Sequence, residues 1–106
     1  MDLTIADNDQ VVHVNVGTVV AATLDSTYWE YSAPAGNVLV ALGSPVYTPA
    51  PAGQCVPGEG CGTVVATYKA GAPGSTNVVA SRTVCGEALL CTGNNGAYSV
   101  NVVVGG

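Results

Sequence analysis

Residues Ala97 to Val104 read AYSVNVVV, so Tyr98, Val100, Val102 and Val104 fall on one face of an extended chain. Gly62 to Ala70, GTVVATYKA, does the same with Val64, Ala66, Tyr68 and Ala70. A period of two suits a strand that buries one face and wets the other. Further short runs are Thr18 to Leu24 (TVVAATL), Thr27 to Ala33 (TYWEYSA), Asn37 to Gly43 (NVLVALG) and Ser75 to Thr83 (STNVVASRT). Leu3 to Ala6 and Val11 to Val16 give one or two more, divided by a turn at Asp7-Asn8-Asp9. No stretch repeats apolar residues at helical spacing over three turns. Seven or eight short strands with turn signals between them predict one all-β domain over residues 1–106, an antiparallel β-sandwich.

Such a core is built without Phe, from Val, Ala, Trp29 and some of the tyrosines. Small side chains bury little area each, so covalent help is expected. Charged residues make up 8% of the chain, and Lys69 and Arg82 are its only Lys and Arg. With a formal charge of -5 there is almost nothing to neutralise a phosphate backbone, which argues against nucleic acid as a partner. An anionic membrane surface is disfavoured for the same reason. No apolar run approaches the roughly 20 residues that span a bilayer, so no membrane insertion is expected.

The four cysteines form two Cys-x5-Cys stretches, CVPGEGC (Cys55 to Cys61) and CGEALLC (Cys85 to Cys91). Structural zinc sites usually space paired ligands more closely, and a redox pair is normally C-x-x-C. A catalytic thiol needs a base, and the only histidine, His13, is opposite in phase to Val12, Val14 and Val16, facing solvent. Disulfides are the expectation. Each stretch holds a turn signal, which favours Cys55–Cys61 and Cys85–Cys91. The alternative is two neighbouring loops bridged to each other, because four cysteines allow three pairings. Disulfides in a small, charge-poor domain suit an oxidising compartment, so the expected location is extracellular or the cell envelope, with the export signal outside this sequence.

Gly43 to Gly62, GSPVYTPAPAGQCVPGEGCG, holds four of the six prolines and reads as a long semi-rigid loop with a short edge strand at Val46 to Thr48. Glu59, with Gly60 beside it, and Glu87 lie near the apices of the cysteine loops, where a carboxylate can accept from a partner's Arg or Lys. Leu89 and Leu90 fall inside the second loop, where they either fold beneath it as a plug or anchor a partner. Asp7-Asn8-Asp9 reads as a turn and not as part of a calcium loop. Trp29, Tyr28 and Tyr31 read as core and strand face. No nucleophile–base pair is visible, so neither an enzyme nor a cofactor is expected.

VNVGTVVAATLDSTYWEY (Val14 to Tyr31) resembles the opening strands of the chagasin-like cysteine protease inhibitors. GCGTVVATYKAGAPGSTNVVASR (Gly60 to Arg82) is similar to that family's later hairpin. Its APGSTNVVAS portion also resembles bacterial immunoglobulin-like group 2 domains. Either resemblance implies an immunoglobulin-like β-sandwich. Chagasin-like inhibitors present three loops at one end, marked NPTTG, GxGG and RPW. Here Asp25-Ser26-Thr27 stands where NPTTG belongs, and Gly58-Glu59-Gly60-Cys61-Gly62 is similar to the Gly-rich loop. RPW would fall near Val84-Cys85-Gly86, with Arg82 two residues early. The resemblance implies that the two cysteine stretches occupy the later two loops and staple a shared surface.

The function expected is therefore a non-catalytic, exported binding or structural module, monomeric and of bacterial cell-envelope type. It contacts a protein or other envelope macromolecule through Glu59, Gly60, Glu87, Leu89 and Leu90. The alternative is a chagasin-like inhibitor of papain-type cysteine proteases with diverged loops.

Overall fold

The computed structural model describes residues 1–49, 61–86, 89–91 and 96–106. Eleven strands occupy these residues: β1 (Asp2–Leu3), β2 (Val11–Asn15), β3 (Val19–Asp25), β4 (Glu30–Tyr31), β5 (Leu39–Ala41), β6 (Val46–Pro49), β7 (Gly62–Ala70), β8 (Gly74–Ser81), β9 (Val84–Gly86), β10 (Leu89–Leu90) and β11 (Ala97–Gly105). The first sheet runs β1-β3-β7-β5, with β6 also on β7. The second runs β2-β11-β8-β4, and β9 and β10 form a separate hairpin.

The two-residue period decides what each strand buries. Val20, Ala22 and Leu24 of β3, and Val64, Ala66, Tyr68 and Ala70 of β7, face inward from the first sheet. Thr76, Val78 and Ala80 of β8, and Tyr98, Val100, Val102 and Val104 of β11, meet them from the second. His13 is exposed on β2, while Val12 and Val14 pack against the core. Trp29 and Tyr98, each 1% exposed, fill the volume the small residues leave. Their rings meet edge-on, centroids 6.4 Å apart at 68°, a favoured aromatic geometry.

Burying tyrosine is costly unless the hydroxyl finds a partner. The Tyr98 hydroxyl donates to the Thr4 carbonyl (3.0 Å), and that of Tyr31 to Ala22 (2.8 Å). Burial, with Asp7 nearby, pushes the Tyr98 phenol up to about 12. Burial raises Tyr31 and Tyr68 as well.

The sandwich expected from alternation is present, but its sheets are mixed. β1 lies parallel to β3, and β2 lies parallel to β11. One N-terminal segment thus joins both sheets. It crosses between them through a 3-10 turn, Ile5–Asp7, which cuts short the strand expected over Leu3 to Ala6. The cause is a capping box: Ala6 N donates to Thr4 Oγ1 (3.3 Å) and Thr4 N to Asp7 Oδ2 (2.8 Å). Asn8 then pins the crossing to β11, donating from Nδ2 to Ala97 O (3.0 Å) and accepting from Ser99 N (2.9 Å). Asp7 and Asn8 thus have structural duties, as the turn reading of Asp7-Asn8-Asp9 expects.

The other differences are local. The expected Thr27 to Ala33 strand contracts to Glu30–Tyr31, because the chain before it is held in a turn. The expected edge strand at Val46 to Thr48 is present as β6, with Pro49 at its end, where a missing donor costs the ladder least. It shares one edge of β7 with β5: β5 lies against Tyr68–Ala70 and β6 against Gly62–Val65. The extra strands beyond the expected seven or eight are mostly two- and three-residue pieces.

Candidate functional site: the loop end of the sandwich

Three connections leave the sheets at the same end. Asp25 of β3 and Thr48 of β6 both pair with Thr63 of β7, which places the β3–β4 and β6–β7 connections together. Ser81 of β8 pairs with Ala97 of β11 and with Glu30 of β4, which places the β8–β11 connection beside them.

The first connection is short and tightly held. Ser26 adopts a positive φ of 92°, its N donates to Gly62 O (2.8 Å), and its Oγ accepts from Tyr28 N (3.2 Å). Trp29 then plunges into the core, its Nε1 donating to Asp25 O (3.0 Å). The Tyr47 hydroxyl, from β6, donates to Trp29 O (3.3 Å). Backbone and indole together leave this connection little freedom to extend.

The third connection carries the β9–β10 hairpin. Arg82 N donates to Gly96 O (3.0 Å) and Cys91 N to Thr83 O (2.9 Å), closing its base. Cys85 and Cys91 are joined by a disulfide, Cα atoms 4.9 Å apart, which is the pairing expected from the turn signal. A Cβ at Gly96 would collide with the Arg82 carbonyl and lie 3.0 Å from Cys91 Cβ, so a side chain there would force the base open. The Arg82 guanidinium lies 4.4 Å from the centroid of a Trp29 ring, within cation–π range. Burial lowers its pKa from the usual value, but an arginine keeps its proton at neutral pH. A cation is thus fixed at the root of the hairpin, with the exposed Asp25 and Glu30 at the same end of the sheets.

The residues expected to contact a partner are placed unequally. Cys55, Glu59, Gly60 and Glu87 lie outside the described residues. Cys61 opens β7's approach and is disulfide-bonded. The Leu89 backbone forms β10 with Leu90. Leu90 is 76% exposed, so its side chain is not tucked beneath the hairpin. Leu90 thus presents an apolar side chain to solvent on the hairpin that the Cys85–Cys91 disulfide closes. Sequence reasoning missed the hairpin strands and the stacking of Arg82 on Trp29. Trp29 is the only tryptophan and Arg82 one of two cations of their kind, but their meeting depends on β4 pairing with β8, which the sequence does not display.

A cleft of about 220 Å³ lies away from this end, between Tyr31, Pro34, Ala41, Pro45 and Tyr68. Its polar side chains are serine, threonine and tyrosine hydroxyls, with no carboxylate or imidazole to activate them. Among the described residues no group of three or more His, Cys, Asp and Glu side chains converges, and no helix is long and apolar enough to cross a membrane.

The sequence matches no protein-family model and no curated protein. The architecture does match solved structures along nearly its whole length. The solution structure of amebosin superposes with a TM-score of 0.67 at 17% identity, covering 99% of this chain and 97% of that one. The crystal structure of the cysteine protease inhibitor EhICP2 from Entamoeba histolytica superposes with a TM-score of 0.67 at 10% identity, covering 98% of this chain and 93% of that one. With its two facing sheets and three connections gathered at one end, the chain has a chagasin-like fold.

Proposed function

We propose that this chain is a non-catalytic, protein-binding domain that inhibits cysteine proteases through its loop end. The observation that carries the reading is the convergence of the Asp25–Trp29, β6–β7 and β8–β11 connections on a scaffold that matches EhICP2, itself a cysteine protease inhibitor, over 98% of this chain. Leu90 supplies an apolar contact on a disulfide-closed hairpin, and little ordering entropy remains to be lost on binding. Glu59, Gly60, Glu87 and Leu89 complete the surface in this reading. A disulfide-bonded domain of this kind works in an oxidising compartment, outside the cell or in its envelope.

A papain-type protease titrated with the purified chain should lose activity stoichiometrically, with the chain recovered uncleaved. Full protease activity at large molar excess would show that the inhibitor reading is wrong. The support then passes to a second reading, an exported module that binds another envelope macromolecule at the same end. The observation favouring that reading is the short first connection, held by Ser26 and Trp29, where NPTTG has no counterpart.

A further inference from the structure

Three tyrosine hydroxyls end on backbone carbonyls: Tyr31 donates to Ala22 O (2.8 Å), Tyr47 to Trp29 O (3.3 Å) and Tyr98 to Thr4 O (3.0 Å). Tyr68 is different. It is only 3% exposed, yet its hydroxyl has no hydrogen-bond partner among the described residues. No side-chain oxygen or nitrogen of these residues is both sealed from solvent and unpartnered, so the Tyr68 hydroxyl reaches open space. The space that Tyr68 lines is the cleft of about 220 Å³. Burial raises the Tyr68 pKa, so the phenol keeps its proton at neutral pH and remains an unspent donor.

The cleft arises where the edge of the first sheet breaks. Ala41 pairs with Tyr68 and Val46 with Val65, so five steps along this edge answer to three along β7. The surplus loops out as Gly43-Ser44-Pro45, with Gly43 at a positive φ of 79°, a conformation that glycine adopts without strain. This loop makes one wall, and Ser32-Ala33-Pro34, leaving β4 of the second sheet, makes the other. Ala41 and Ala66 are too small to fill the gap between them. Tyr31 crosses it from the second sheet to the first, its one hydroxyl hydrogen committed to Ala22. No lining side chain is charged.

We propose that this cleft is a binding site for a small neutral molecule, about the size of one substituted ring, that offers an acceptor to the Tyr68 hydroxyl. An apolar cavity of about 150 Å³ takes up benzene, so this one holds a ring with a small polar substituent. The alanines, prolines and tyrosine rings receive the apolar body, and Tyr68 fixes its orientation, the usual division of labour in a ligand pocket. An ion is disfavoured, because nothing in the lining offsets its desolvation.

Acetophenone, ethylbenzene and benzoate share a ring and differ in what they offer Tyr68: a neutral acceptor, none, and a charged one. Each is titrated into the isotope-labelled whole chain and followed by amide chemical shifts. Acetophenone should shift residues 31–34, 41–45 and 66–68 saturably, with a dissociation constant of about 1 mM. Ethylbenzene should bind about fivefold more weakly, and benzoate should not bind there. Tyr68→Phe should bring acetophenone down to the affinity of ethylbenzene and leave ethylbenzene unchanged. Its melting temperature should stay within about 2 °C of the parent, since no protein hydrogen bond is lost. Ala41→Leu should block both neutral probes by filling the cleft. The proposal is overturned if acetophenone leaves these residues unshifted, which would make the cleft a site for water alone. It is equally overturned if the three probes bind alike, or if Tyr68→Phe keeps full affinity for acetophenone or melts early.

Discussion

Val100→Ser tests whether the two-residue period of β11 sets the core. Val100 has no exposed surface and stands opposite Val78, itself fully buried. Removing its branched hydrocarbon forfeits roughly 2 kcal/mol in transfer and cavity terms. Placing a hydroxyl among valines adds roughly 1 kcal/mol. At ~2.1 cal/mol/K per residue over 106 residues, the unfolding entropy is about 0.22 kcal/mol/K. A loss of about 3 kcal/mol then lowers the melting temperature by about 13 °C. Leu90→Ser is the matched comparison, because Leu90 is 76% exposed and should shift the melting temperature by less than about 2 °C. Thermal unfolding followed by circular dichroism, with protease inhibition measured on the same two variants, separates stability from binding. The expected pattern is a Val100 variant that melts early and a Leu90 variant that stays folded but binds weakly. If both melt early together, Leu90 is plugging the hairpin and the reasoning from exposure fails.

Arg82→Ala removes the cation over Trp29 and should cost about 1 kcal/mol, with Arg82→Lys recovering part of it; a red shift of tryptophan emission reports the exposed ring. Replacing Cys85 and Cys91 with serine opens a short loop and should destabilise its closure by about 2 kcal/mol, seen first as amide exchange in residues 84–91 and as weaker inhibition. The tyrosines set an alkaline limit. Their pKa values are raised in the folded state, to about 12 for Tyr98, so the unfolded chain loses protons first. Stability is full below pH 10 and falls as pH rises from 10 towards 12, and chemical unfolding at stepped pH should show midpoints declining only in that window.

The long central strands were legible because both of their faces are specified locally. The expected Gly62 to Ala70 run is β7 residue for residue, and β11 extends its expected run by one glycine. Edges were less legible because they answer to distant partners. Nothing in VVHVN declares that it will lie parallel to the C-terminal strand, since alternation fixes a face but not a neighbour. The Thr4–Asp7 capping box was readable as a Thr-x-x-Asp spacing, yet the apolar Leu3 and Ile5 suggested continued strand. At the loop end the Cys85–Cys91 pairing followed from its turn-bearing spacing. The Arg82–Trp29 stack did not, because it joins residues whose strands share only a short register.

The parallel pairing of β2 with β11 also has a mechanical meaning. Val11 lies level with Asn101, and Asn15 with Gly105, so β2 enters at one end of the ladder and the C-terminal strand leaves at the other. Once the two-residue β1 has left β3, a force applied between the two termini runs along β2 and β11 and loads their ladder's hydrogen bonds together in shear. An antiparallel terminal pair would instead unzip one bond at a time. Pulled from its ends, this small valine core should therefore yield abruptly and at high load, while a pull on its loops should peel it gradually.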